Sequence, residues 1–400
     1  MMFMYFSEGE AAPGTSYRSR YWELVEQVLH AERWGFDSFG ASEQHMAIGG
    51  VSTSSPEVLF AYLFPLTKRL RFRHAITPLV KAMNHPLKVA ARTAVQDILS
   101  NGRIELGVGR GNTTLALRAF EVDLDRTRGE WYEGLQILKK AFTEDTFMFY
   151  GEHYKIPPRA LVPKPVQRPH PPLFSAATSA ESHRIAGELG IGVISWSNFL
   201  GWDALAESIA SYKAAVAKTK ATGAHVNDKV SLLVQGYCAE TDESAREEAA
   251  EGNLKWLKLA LDGYPRLAKM SKDYAYMAKV KAVDDRYQDI DYFVEGSAAA
   301  VFGSPDSCIR ALERYASIGV DEVVLRIDSV PHERIMRSIE LFGRHVIPHF
   351  RDRANIVRGA DAVMRDIRAM REEAKRQGVY VELGDEKTKP PAPASKSAAE

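Results

Sequence analysis

Two stretches of this 400-residue chain carry side chains suited to holding an anion. Arg110 sits within Gly107-Val108-Gly109-Arg110-Gly111. Small residues there let a flat ligand approach the backbone, and a guanidinium is a fixed, forked cation that suits a phosphate. Thr178, Ser179 and Ser182 follow an apolar run and open a helical pattern. Hydroxyls and free N–H groups at a helix start form an anion site. Each stretch alone has a plainer reading, a surface arginine paired to a carboxylate or an ordinary helix cap; together they favour phosphate. The glycine run is G-x-G-x-G and lacks the third glycine of the dinucleotide fingerprint at its required spacing. A third stretch, Ser42-Glu43-Gln44-His45, offers acid/base or polar groups. His45 can titrate, contact a heteroaromatic ring or be structural, whereas Gln44 hydrogen-bonds but does not titrate. Glu43 reads as a buried hydrogen-bond partner and His85 as a loop-shaping residue before Pro86. No H-E-x-x-H, G-x-S-x-G or P-loop occurs, so zinc hydrolase, serine hydrolase and triphosphatase chemistry lack their residues. Cys238 and Cys308 are the only cysteines, which excludes a disulfide framework and a cysteine zinc site and points to a reducing cytoplasm.

The elements that must position these groups follow from periodicity. Strand-length apolar runs at 2–6, 36–42, 70–77, 104–109, 173–177, 192–196, 230–239 and 322–327 alternate with helical patterns. The pattern at 128–143 keeps Trp131, Leu135, Leu138 and Phe142 on one face. Eight strands separated by helices predict an α/β fold, a closed eight-stranded β/α (TIM) barrel, with an open doubly wound sheet as the competitor. In a barrel, active sites lie at the C-terminal ends of the strands. All three stretches fall there, and neighbouring strands four and five bring Arg110 and Thr178 toward one phosphate. The pattern further predicts a hairpin at 147–158, a proline-dense connector at 162–172 and an irregular lid at 263–302. The barrel domain is expected over 1–350, a helical extension over 351–384 and a disordered tail over 385–400. Lys+Arg and Asp+Glu are both 52, so there is no basic surplus for nucleic acid or a membrane surface. No apolar run approaches the ~18 residues of a membrane span, and the N-terminus reads as a first strand, not a signal peptide.

The run Asp97-Ile98-Leu99-Ser100-Asn101-Gly102-Arg103, followed by Glu105-Leu106-Gly107-Val108-Gly109-Arg110-Gly111, resembles the helix-to-strand signature of the bacterial luciferase-like flavin-dependent oxidoreductases. Trp34-Gly35-Phe36-Asp37-Ser38, Ser42-Glu43-Gln44-His45, Asn84-His85-Pro86, Val162-Pro163-Lys164-Pro165 and Arg337-Ser338-Ile339-Glu340-Leu341-Phe342 support it in one order, over about residues 2–350. The resemblance implies a barrel that binds reduced flavin mononucleotide (FMN) at its mouth. Arg110, Thr178, Ser179 and Ser182 would hold the phosphate, and a non-prolyl cis bond at Ala75–Ile76 would lie behind the ring. Trp196, with Phe6 and Trp131, would screen the site from water. The implied activity is a monooxygenase that uses dioxygen on a small, moderately hydrophobic organic substrate. A separate reductase would supply the reduced flavin, and the protein would be a homodimer. One departure bears on mechanism: the family often reads Glu-His-His where this chain has Glu43-Gln44-His45. In light-emitting members the first histidine is the acid/base, so aldehyde chemistry of that type is in question. Other oxygenations stay open, because the flavin carries the oxygen chemistry. The thiol found beside the flavin in some members is replaced by Gly109. Adjacent strand residues point to opposite faces, so one of Gln44 and His45 faces the ligand; Gln44 is expected to do so, with His45 as a structural partner. The rivals are a deazaflavin-dependent dehydrogenase on the same fold, a non-catalytic flavin-binding protein, and a sugar-phosphate lyase or isomerase with Glu43 or Asp328 as base.

Overall fold

The computed structural model describes residues 1–46, 50–280 and 285–351 together with Arg376. Apart from Arg351 and Arg376, the expected C-terminal extension and tail lie outside the described residues. The strands are β1 (Met2–Ser7), β2 (Ser38–Ala41), β3 (Arg71–Pro78), β4 (Ile104–Gly109), β5 (Phe147–Tyr150), β6 (Lys155–Arg159), β7 (Leu173–Ala177), β8 (Gly192–Ser195), β9 (Val230–Cys238), β10 (Ala300–Gly303) and β11 (Glu322–Arg326). Eight of them close a parallel barrel in the order β1-β2-β3-β4-β7-β8-β9-β11, with β11 back beside β1. The open-sheet alternative is thereby excluded. β5 and β6 form the expected hairpin outside it.

The helices are α1 (Tyr17–Arg33), α2 (Pro56–Leu63), α3 (Pro86–Leu99), α4 (Thr114–Ala119), α5 (Thr127–Thr143), α6 (Ala180–Glu188), α7 (Trp202–Ala221), α8 (Asp242–Ala245) and α9 (Glu251–Met270), followed by helices Pro305–Ser317 and His332–Leu341. Their starts follow local chemistry. Ser16 caps α1 through its side chain, and His85 caps α3 by accepting from the Leu87 amide, with Pro86 in the first turn. Period-two alternation in β1 sends Phe3 and Tyr5 outward into the helix-facing core, and Met4 and Phe6 inward beside Val324, Ala75 and Leu233. Below that apolar layer the barrel holds charge. Arg73 Nε donates to Glu105 at 2.7 Å, Nη2 also pairs with Glu105, Nη1 reaches both Glu322 and Ser231, and the guanidinium lies 3.7 Å from the Phe174 ring. Burial alone would raise the Glu105 carboxyl; Arg73 and Arg71 instead hold it at about 2.

The expected irregular course of 263–302 needs correction. Helix α9 continues to Met270 with Pro265 inside it. Leu254, Leu257, Leu261, Tyr264 and Leu267 keep an unbroken buried stripe, and packing of that stripe outweighs the backbone bond that proline removes. The same region also holds β10, which pairs with residues 235–238 of β9 and so overlaps at Gln235 with the part of β9 that meets β11. Among the described residues, no helix is long and apolar enough to cross a membrane.

Candidate active site

A cavity of about 780 Å³ opens at the C-terminal ends of the barrel strands. Its floor includes Phe6 from β1, Ala75 and Ile76 from β3, Gly109 from β4, Ile194 from β8 and Leu233 from β9. Trp256 and Tyr264 of α9, with Tyr274 and Tyr276 from the 3-10 segment Lys272–Val280, cover it. Trp196 lines it as well and meets Phe199, Tyr264 and Trp256 with ring centroids 5.6, 5.7 and 6.2 Å away. Phe6 and Trp131 also line it, so the screening aromatics named from the sequence share one wall system.

The Ala75–Ile76 peptide is cis, as the resemblance implied. A Cβ at Gly109 would lie 2.9 Å from Ile76 Cδ1. The glycine therefore makes room for Ile76, which in turn forms the cavity floor.

One end of the cavity gathers donors. Arg110 directs Nη1 to the Asp273 carbonyl and Nη2 to the Tyr276 hydroxyl, each at 3.1 Å, and its guanidinium lies 4.5 Å from the Tyr274 ring. Thr178 Oγ1 donates to the same Tyr276 hydroxyl at 3.3 Å. Ser179 caps α6, and Ser182 closes a capping box: its hydroxyl accepts from the Thr178 and Ser179 amides at 3.2 and 3.1 Å. Ser182 thus takes up the amides of Thr178 and Ser179, and the Ser179 hydroxyl takes up that of Ser182. What converges on one oxygen, that of Tyr276, is the Arg110 guanidinium and the Thr178 hydroxyl. This donor set, at the positive end of α6, fits a phosphate oxygen.

Gln44 and His45 part ways. Gln44 lines the cavity, donates through Nε2 to Glu8 at 3.2 Å and accepts from Thr113 at 3.0 Å. His45 does not line the cavity; it hydrogen-bonds Glu43 at 3.0 Å and packs edge-on against Phe120 at 5.0 Å. Glu43 also accepts from Asn84 at 2.8 Å and pairs with Arg92 at 3.3 Å. Asp328 accepts from Ser7, the Glu8 amide and Arg20 at 2.8, 2.8 and 2.9 Å. Glu43 and Asp328, the two carboxylates that a lyase reading needs as bases, are each held by three partners.

Sequence reasoning missed Glu8, Tyr274 and Tyr276. Glu8 stands one residue past β1, where the strand-end rule would have found it. The tyrosines belong to an insertion whose path no periodicity records. Burial pushes the Glu8 carboxyl above its ordinary value; Arg326 opposes the shift, and Asp328 adds to it.

The family model described as luciferase-like monooxygenase matches residues 1–322. The chain is 28% identical over 366 residues to the FMNH2-dependent dimethylsulfone monooxygenase of Pseudomonas putida, covering 87% of this chain and 93% of that one. It is 31% identical over 182 residues to the uncharacterized protein y4wF of Sinorhizobium fredii, 45% of this chain and about half of that relative's length (52%). In fold it matches the oxygenating constituent of 3,6-diketocamphane monooxygenase from Pseudomonas putida, a structure in complex with FMN. The TM-score is 0.67 at 21% identity, covering 87% of this chain and 98% of the other.

Proposed function

The chain belongs to the luciferase-like monooxygenase family, and from that premise we propose that it is the oxygenase component of a flavin-dependent monooxygenase. It takes reduced FMN from a separate reductase and uses dioxygen to oxygenate a small, moderately hydrophobic organic molecule. The observation that carries this reading is the pairing, in one cavity, of an oxyanion-binding end at Arg110, Thr178 and the start of α6 with an apolar floor at Ala75, Ile76 and Leu233.

The bound flavin would supply the activation of dioxygen. The protein's part is to bind, orient and dry the site. Arg110 and Thr178 would hold the phosphate, with Ser179 and Ser182 fixing the helix start beside it. Ile76 would support the ring. Trp196, Trp256 and Tyr264 exclude water, which strengthens every polar contact inside. Gln44 hydrogen-bonds without titrating and holds its place between Glu8 and Thr113. The apolar lining from Phe6, Ile194 and Leu233 supports an uncharged substrate.

Oxygen uptake by the purified protein with reduced FMN, screened over ketones, aldehydes, aromatics and sulfur compounds, tests the reading. Substrate-dependent uptake with incorporation of one oxygen atom is expected. Turnover with reduced deazaflavin under argon, and none with reduced FMN in air, would replace it with the dehydrogenase reading.

The same reading includes a homodimer. Val58 and Tyr62 of α2 and Val95, Ile98 and Leu99 of α3 are exposed on adjacent helices, an apolar face suited to a second copy. Sedimentation at micromolar concentration should give twice 44.6 kDa; a species of 44.6 kDa alone would contradict it.

A further inference from the structure

Glu8 lines the cavity with only 6% of its surface exposed. Its Oε1 lies 3.1 Å from the Ser42 hydroxyl and 3.2 Å from Gln44 Nε2, and its Oε2 lies 3.3 Å from Arg326 Nε. Behind it, Arg326 is shared with Glu10 at 2.6 Å and Asp328 at 3.8 Å, and Arg20 reaches Asp328 at 2.9 Å. Glu8, Glu10 and Asp328 thus share the Arg20 and Arg326 guanidinium groups, and Glu23 adds a further carboxylate 3.7 Å from Arg20. A buried cluster with surplus negative charge is relieved when one member takes a proton. Asp328 accepts three bonds of 2.9 Å or less, and Glu10 accepts from Arg326 and Ser329 at 2.6 Å. Glu8 has the longer ion pair, and its other partners are neutral.

We propose that Glu8 holds a proton at neutral pH and is the titrating group of this cavity, with Gln44 as the residue that positions its carboxyl. The link to turnover rests on the monooxygenase reading; the protonation does not. The groups that face Glu8 are Ser42 and Gln44 from the end of β2, Arg326 and Asp328 from β11 and the loop after it, Glu10 from its own loop, and Tyr264 from α9. Burial and the neighbouring carboxylates Asp328 and Glu10 favour the neutral form, against Arg326 and the Ser42 hydrogen bond. A histidine at position 44 would compete for this proton and form an ion pair with Glu8. Glutamine cannot take it, so the proton stays on the carboxyl. In turnover the Glu8 O–H bond breaks as a bond forms to an oxygen that gains negative charge in the cavity, and water returns the proton afterwards.

Infrared difference spectra of flavin-free wild type against Glu8→Gln test the protonation directly. A protonated carboxyl C=O band should be present in wild type at neutral pH, vanish as pH rises, and be missing from the variant. In turnover, wild type should lose activity as pH rises through that same titration. Glu8→Gln should be slower by about 100-fold and show no such step. If Glu8→Gln fails to fold, Glu8→Asp should displace the midpoint of both titrations. An ionised carboxylate at neutral pH, a pH profile unchanged in Glu8→Gln, or an unmoved midpoint in Glu8→Asp would overturn the proposal. Failure of wild type to bind FMN would instead overturn the flavin reading and leave the infrared result standing.

Discussion

Gln44 and His45 are neighbours in the chain but serve different surroundings, one facing the cavity and the other tied to Glu43 and Phe120. Gln44→Ala should therefore lower turnover about 10-fold or more while leaving the melting temperature near that of wild type. His45→Ala removes a bond to a carboxylate and a ring contact, and should cost about 1–2 kcal/mol of stability with turnover largely retained. Steady-state kinetics and thermal melts of the two variants decide this. A His45→Ala protein with normal melting and a ~100-fold slower turnover would make His45 the acid/base and reverse the assignment. The position of Gln44 was legible because strand-end residues face the barrel mouth. The environment of Glu8 was not, because Arg326 and Asp328, which set it, lie more than 300 residues away in sequence.

At the level of elements, the apolar runs at 104–109 and 173–177 coincide with β4 and β7, the strands that carry Arg110 and Thr178 to the same mouth. They were readable because parallel barrel strands are buried on both faces and show as continuous apolar stretches. Helix α9 runs to Met270, past residue 263 where the sequence pattern places the start of an irregular segment, because packing of its buried stripe outweighs Pro265. The charged layer under the cavity was equally hidden. Arg73, Glu105 and Glu322 look like exposed strand residues until the barrel closes around them. Their burial has a measurable consequence. Arg73→Met leaves Glu105 and Glu322 without their shared cation and should destabilise the fold by about 3–5 kcal/mol. Urea denaturation checks this, and a loss under about 1 kcal/mol would show that the layer rearranges or takes up protons cheaply.

For the whole molecule, zero formal net charge excluded a basic surplus, while two buried histidines contribute to its response to acid. Burial lowers His74 and His183 to about 4; Arg92 adds to the effect at His74. His183 Nδ1 donates to the Ser179 carbonyl at 2.8 Å, which leaves Nε2 to accept from Ser195 at 2.9 Å in the neutral ring. The sign is fixed by these depressed values. The stability is present above the unfolded histidine value near 6.5 and is lost as pH falls toward about 4, since the unfolded chain then binds more protons. A loss of roughly 2 kcal/mol per histidine is expected by about pH 5, read as a lower urea midpoint than at about pH 7 in the Glu8→Gln variant, which lacks the opposing gain from the Glu8 carboxyl; equal midpoints there would contradict it. The central claim is that the barrel mouth holds reduced FMN with its phosphate on Arg110 and Thr178. Anaerobic calorimetric titration of wild type and Arg110→Ala with reduced FMN and reduced riboflavin tests it most directly. The account predicts that the substitution weakens FMN binding by about 1.5–3 kcal/mol and leaves riboflavin, which lacks the phosphate, nearly unaffected; equal losses for both ligands, or no FMN binding by wild type, would contradict it.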